Sequence, residues 1–99
     1  MLDSLTADHF RPHLGDTYKL VPSAGDPVDA VLANVTEHGT RPSDMRAPFA
    51  VAFRAPVGTT AGQGMYRVEH ADAGALEIFL VPIGPDPEND GMLYEAVFA

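Results

Sequence analysis

His9 and His13 stand four residues apart, a spacing that lets two imidazoles share one helical face and meet a single metal ion. Pro12 interrupts the turn between them, and a third ligand would have to come from Asp8, His38 or His70. Two surface histidines beside a helix end are the plainer reading, so the sequence assigns no metal centre and no cofactor. The run Asp86-Pro87-Glu88-Asn89-Asp90-Gly91 alternates carboxylates before a glycine, as the first half of a calcium loop does. Its twelfth position is Val97, where a bidentate carboxylate is required, and Glu95 is out of register. A solvated hairpin turn stiffened by Pro85 and Pro87 is expected, and whether Asp86, Glu88 and Asp90 hold a cation stays open at this level.

Nucleophilic chemistry finds no support. Ser4, Ser23 and Ser43 are the only serines, and none sits in the Gly-x-Ser-x-Gly elbow that exposes a hydroxyl between strand and helix. Gly58 to Gly64 holds three glycines with Thr59 and Thr60 but lacks the lysine of a phosphate loop, and reads as a flexible hairpin loop. Glu69 and His70 are neighbours in one strand and point to opposite faces, which separates them as an acid/base pair. No catalytic residue is assigned, and an enzyme is not expected. Arg54 and Arg67 lie in apolar strands with Glu69, Glu77 and Glu95, so cross-strand ion pairs are expected; a buried Arg54 would instead organise a polar network.

The elements that carry these residues are mostly strands. Thr6 can cap a short helix beginning near Ala7, with Asp8 in its first turn and Phe10 and Leu14 on one face; Pro12 limits its length and Gly15-Asp16 ends it. Six strands then follow at regular spacing: Thr17–Val21, Asp29–Glu37, Phe49–Arg54, Met65–His70, Ala75–Ile83 and Met92–Phe98. The short connections Pro22–Pro27, Ala71–Gly74 and Gly84–Gly91 predict hairpins, whereas His38–Ala47 and Ala55–Gly64 are longer loops. The fold class is therefore all-β, a small antiparallel six-stranded barrel or sandwich with the N-terminal helix over one end.

The chain has 99 residues, which suits one domain over 1–99. Fourteen acidic against six basic side chains give a net charge of −8, a field that repels nucleic-acid phosphates and anionic lipid. Cysteine is absent, which removes disulfides and thiolate chemistry. The longest apolar run, Ile78 to Ile83, is far short of a bilayer span, and the opening Met1-Leu2-Asp3-Ser4-Leu5 has no basic leader region. No membrane insertion is expected; synthesis in the cytoplasm is, with leaderless export as part of an assembly as a further route. Alternation places Phe49, Val51 and Phe53 opposite Ala50 and Ala52, and leaves apolar groups on both faces of the last two strands. From that surplus, Phe79, Val81, Tyr94 and Phe98 are expected to form an outer contact for a protein partner or for self-association, together with exposed strand edges. A glutamate at Phe98 would then reduce assembly without unfolding the subunit.

The segment Pro48-Phe49-Ala50-Val51-Ala52-Phe53-Arg54-Ala55-Pro56 resembles the "PFSLVFRGP" signature of a family of small bacterial domains of unknown function. Tyr66-Arg67-Val68-Glu69-His70 is similar to its "Y-x-L/V-x-H" strand, Ile78 to Gly84 to its "LFLVPIG", and Tyr94-Glu95-Ala96-Val97-Phe98 to its terminal "YEAVF". Phe10 with Leu14-Gly15-Asp16-Thr17-Tyr18 looks like its opening. Ala50-Val51 stands where that signature has Ser-Leu, and Ala55 where it has glycine. The resemblance implies a gene neighbourhood shared with phage-tail-collar (microcystin-dependent) proteins. Through that neighbourhood it implies a part in a tail-like or fibre-like appendage, and it implies no catalytic residue. A small-ligand-binding barrel is the alternative expectation, and it requires a cavity.

Overall fold

A computed structural model describes residues 5–37 and 48–98. A single α-helical turn, α1 (Ala7–Phe10), runs into a 3-10 turn, Arg11–His13. Six strands follow: β1 (Thr17–Pro22), β2 (Val28–Glu37), β3 (Phe49–Ala55), β4 (Gly64–His70), β5 (Gly74–Pro85) and β6 (Met92–Phe98). The helix is short, as Pro12 leads one to expect: proline has no N–H to bond back along an α-helix, and the chain tightens around it. Thr6 does occupy the N-cap position, but its side chain makes no capping bond; its carbonyl receives the His9 N–H at 3.0 Å.

The strands close into a barrel in the order β1-β2-β3-β6-β5-β4, every neighbouring pair antiparallel. Three connections are the expected hairpins, β1–β2, β4–β5 and β5–β6. Two expectations are corrected here. A closed ring has no free edge, so strand addition at exposed edges is not available to the described barrel. Nor is the glycine-bearing segment from 56 to 63 a hairpin loop: it joins β3 to β4, which face each other across the ring, and therefore crosses the barrel mouth. Tyr66 donates its hydroxyl to the Gly62 carbonyl at 2.6 Å, Tyr94 donates to the Ala61 carbonyl, and Ala61 packs on the core. The predicted His38–Ala47 loop lies outside the described residues.

One side of each strand fills the interior. β3 sends in Phe49, Val51 and Phe53, while Leu20, Leu32, Tyr66, Leu80 and Tyr94 arrive from the other five strands. Tyr18 meets Phe53 edge to face at 5.1 Å between ring centres. Ala50 and Ala52 face outward yet are buried, because in register Thr36 and Val97 flank the first, and Asn34 and Glu95 the second. At the end opposite the crossing loop, Leu5, Ala7 and Phe10 of the N-terminal segment close the barrel. Phe10 lies 6.0 Å from both Phe49 and Phe98, which are themselves stacked at 4.6 Å. Both ends are thus covered, and side chains from all six strands meet in the interior. No helix of the described residues is long and apolar enough to cross a membrane.

Candidate functional site

Two features stand out on this frame: an apolar stretch of outer wall, and a cluster of two histidines and an aspartate at the plugged end. The wall is formed by β4, β5 and β6. Phe79 is 49% exposed and sits in register with Met65 on β4, itself 46% exposed. Val81 is half-buried beside Glu95, and Val97 and Ile83 are exposed farther along the same strands. Of the four predicted contact residues, Phe79 and Val81 therefore lie on the outer wall. Tyr94 and Phe98 do not: they are 1% and 6% exposed, and they point into the core. Strand period fixes that Tyr94, Ala96 and Phe98 share a face, but which face turns inward depends on ring closure, and the exposed alternate is Val97.

The polar cluster is assembled by backbone. The Asp16 N–H donates to the His13 carbonyl at 2.9 Å, and the Asp16 carbonyl accepts from the Leu32 N–H at 3.0 Å, which fixes the approach to β1. His70 ends β4 opposite Gly74. Its Nε2 lies 2.8 Å from Asp16 Oδ2, and His13 Nδ1 lies 3.2 Å from the same oxygen. The two imidazole centres are 4.3 Å apart. Asp72 and Ala73 both donate their backbone N–H to His70 Nδ1 at 3.0 Å. A ring nitrogen that accepts carries no proton, so the His70 proton is on Nε2 and is donated to Asp16. A carboxylate only accepts, so His13 carries its proton on Nδ1 and turns Nε2 away from Asp16. Hydrogen bonds from His70 first, and from His13 second, hold the Asp16 carboxyl below the usual carboxylate range.

This grouping differs from the predicted one. His13 and His70 do meet, but through Asp16, which sequence spacing did not single out, while exposed His9 lies in a T-shaped contact with Phe10. His38 lies outside the described residues. Asp8 pairs instead with Arg11, which also reaches Glu37 at 2.9 Å and so ties the N-terminal plug to β2. Glu69 turns out to Arg67 at 2.7 Å while His70 turns in to Asp16, as their adjacency requires. Arg67 therefore bonds along its own strand rather than across to Glu77, its register partner.

The acidic turn is occupied by its own chain. Asp86 Oδ1 accepts from the Glu88 and Asn89 N–H groups at 2.9 and 3.3 Å, and Oδ2 faces Arg54 at 3.5 Å. Those backbone bonds, with Arg54 behind them, hold its carboxyl below the ordinary value. Arg54 is thus a partly covered brace between β3 and the β5–β6 turn, and Asp86 serves as a turn former.

Tyr18 packs 4.8 Å from the His70 ring, and its phenol is pushed up to about 12, by burial first and by the Asp16 charge second. The neutral phenol is the folded form. Its contribution to stability is therefore complete below the unfolded tyrosine value of about 10 and is lost as pH rises through about 12. Tyr18→Phe should flatten the alkaline fall in stability in urea melts between about pH 10 and about pH 12. An unchanged slope would assign that fall to other groups.

A family model, Domain of unknown function (DUF6916), matches residues 5–98, from the N-terminal plug to the end of β6. The chain belongs to this family. No curated protein and no solved structure matches it.

Proposed function

We propose that the domain is an assembly module that packs the β4–β6 wall against a protein surface, in the first instance a second copy of itself, as part of or accessory to a tail-like or fibre-like appendage. The observation that carries this reading is the pair Phe79 and Met65, two large apolar side chains left half in water side by side on a barrel whose interior is already filled. The family resemblance supports the appendage setting through its gene neighbourhood alone. The covered barrel ends favour an external contact over an enclosed small ligand.

The net charge of −8 opposes association of like chains, and salt screens that repulsion. The mass seen by light scattering should therefore rise with chain concentration and with salt. Phe79→Glu places a carboxylate at a half-exposed site, so it should keep the fold and hold the mass at one chain. A wild-type chain that stays monomeric at high concentration and high salt would remove self-association. A Phe79→Glu variant that associates as wild type does would remove the wall.

A further inference from the structure

The geometry points to a binding site for one divalent transition-metal ion, of the zinc kind, formed by His13 Nδ1, Asp16 Oδ2 and His70 Nε2. This inference is independent of the assembly reading. Each of the three residues offers a ligand atom within 4.8 Å of the other two. A tetrahedral zinc with bonds of about 2.1 Å holds its ligand atoms about 3.4 Å apart. The spacings of 2.8 and 3.2 Å to Asp16 need to open toward that value by roughly 0.6 and 0.2 Å, and the two imidazole donors have to settle to it from within 4.8 Å of each other, an adjustment of side chains.

The three ligands arrive on separate elements: the 3-10 turn, the residue before β1 and the end of β4. The backbone of each is fixed by hydrogen bonds, so the ion has to reorganise the side chains and the turn after β4 rather than the strands. Two imidazoles and one carboxylate suit zinc and its transition-metal neighbours rather than calcium or magnesium, which prefer oxygen alone. Asp16 is 45% exposed, which leaves the carboxylate side open for entry and for a water as fourth ligand.

Binding has a structural consequence that a preformed site would lack. With the ion on Nε2, the His70 proton must move to Nδ1, where the N–H groups of Asp72 and Ala73 now donate. Those two amides must turn away. Metal binding at His70 is therefore coupled to a rearrangement of the exposed turn between β4 and β5, and two protons of the present network are released or moved.

The experiment is a zinc titration of the metal-free full chain by calorimetry and by nitrogen-15 NMR. One zinc per chain should bind, with calcium and magnesium silent. His13→Ala and Asp16→Asn should each weaken binding about tenfold or more, and His9→Ala should leave it unchanged. The wild-type spectra should show His70 passing from the Nε2–H to the Nδ1–H tautomer, with the Asp72 and Ala73 amides among the largest shifts. That readout needs no variant to fold. No saturable binding below about 1 mM zinc would overturn the site. So would binding indifferent to His13→Ala and Asp16→Asn, or binding that leaves the His70 tautomer and both amides in place.

Discussion

Gly91→Ala should destabilise the barrel by about 2–4 kcal/mol, the sum of backbone strain and overpacking at one atom. Gly91 begins the approach to β6 at φ +147, a conformation that L side chains rarely adopt. A methyl group placed there would lie 2.5 Å from Arg54 Cγ and 2.6 Å from the Ala55 carbonyl oxygen. The arginine stem can swing aside, but the carbonyl belongs to β3, which is hydrogen-bonded to strands on both sides. Relief therefore has to come from the β5–β6 turn, where Asp86 accepts the Glu88 and Asn89 amides and donates its own N–H to the Gly91 carbonyl at 2.9 Å. Urea denaturation should show a lower midpoint at unchanged slope. A loss below about 0.5 kcal/mol, the range of ordinary surface changes, would mean that this turn moves freely.

Phe98→Glu should unfold the chain, the reverse of what strand alternation alone suggests. The Phe98 ring is stacked on Phe49 with an interplanar angle of 9° and is covered by Phe10 from the N-terminal plug. Deleting such a ring costs about 3–5 kcal/mol, and a carboxylate in its place adds the cost of burying a charge. The total stability of a domain this size is only about 5–15 kcal/mol. The variant should lose the dispersed methyl and aromatic NMR signals of the folded chain, whereas Phe79→Glu keeps them. These two positions lie on adjacent strands and have opposite expected outcomes. A folded Phe98→Glu chain would show that the plug is dispensable and that the aromatic stack faces solvent.

The contrast between Phe79 and Phe98 marks the limit of what a sequence reading can reach in this protein. The six strands and their three hairpins follow from apolar runs broken by Gly and Pro, and those signals are local. The inward row Phe49, Val51, Phe53 was equally legible, because alanines on the alternate positions cannot compete with aromatics for the core. β6 offers no such contrast: Leu93 and Val97 oppose Tyr94 and Phe98, and hydrophobicity is nearly balanced between the two faces. The decision falls to the β3–β6 pairing, which sets Phe49 against Phe98 across 49 positions of chain, a distance no window captures. The same holds for the cluster. Helical spacing pointed from His13 to His9, but Pro12 broke the helix, and the real neighbours are Asp16, three residues on, and His70, 54 residues from Asp16. Asp16 gave no signal of its own, since an aspartate after glycine reads first as a turn residue.

The single crossing at residues 56–63 divides the ring into two contiguous ribbons, β1 to β3 and β4 to β6. Pairings within each ribbon join near neighbours in the chain or close one loop. Among the strand pairings of the described residues, only the seams between ribbons, Lys19 with Glu69 and Phe49 with Phe98, bring together residues far apart. Zipping one seam shortens the remaining search for the other, because both ribbons are then already tethered side by side. Cooperativity in such a molecule resides in those two stitches, and a defect in either loosens the whole cylinder rather than one rim.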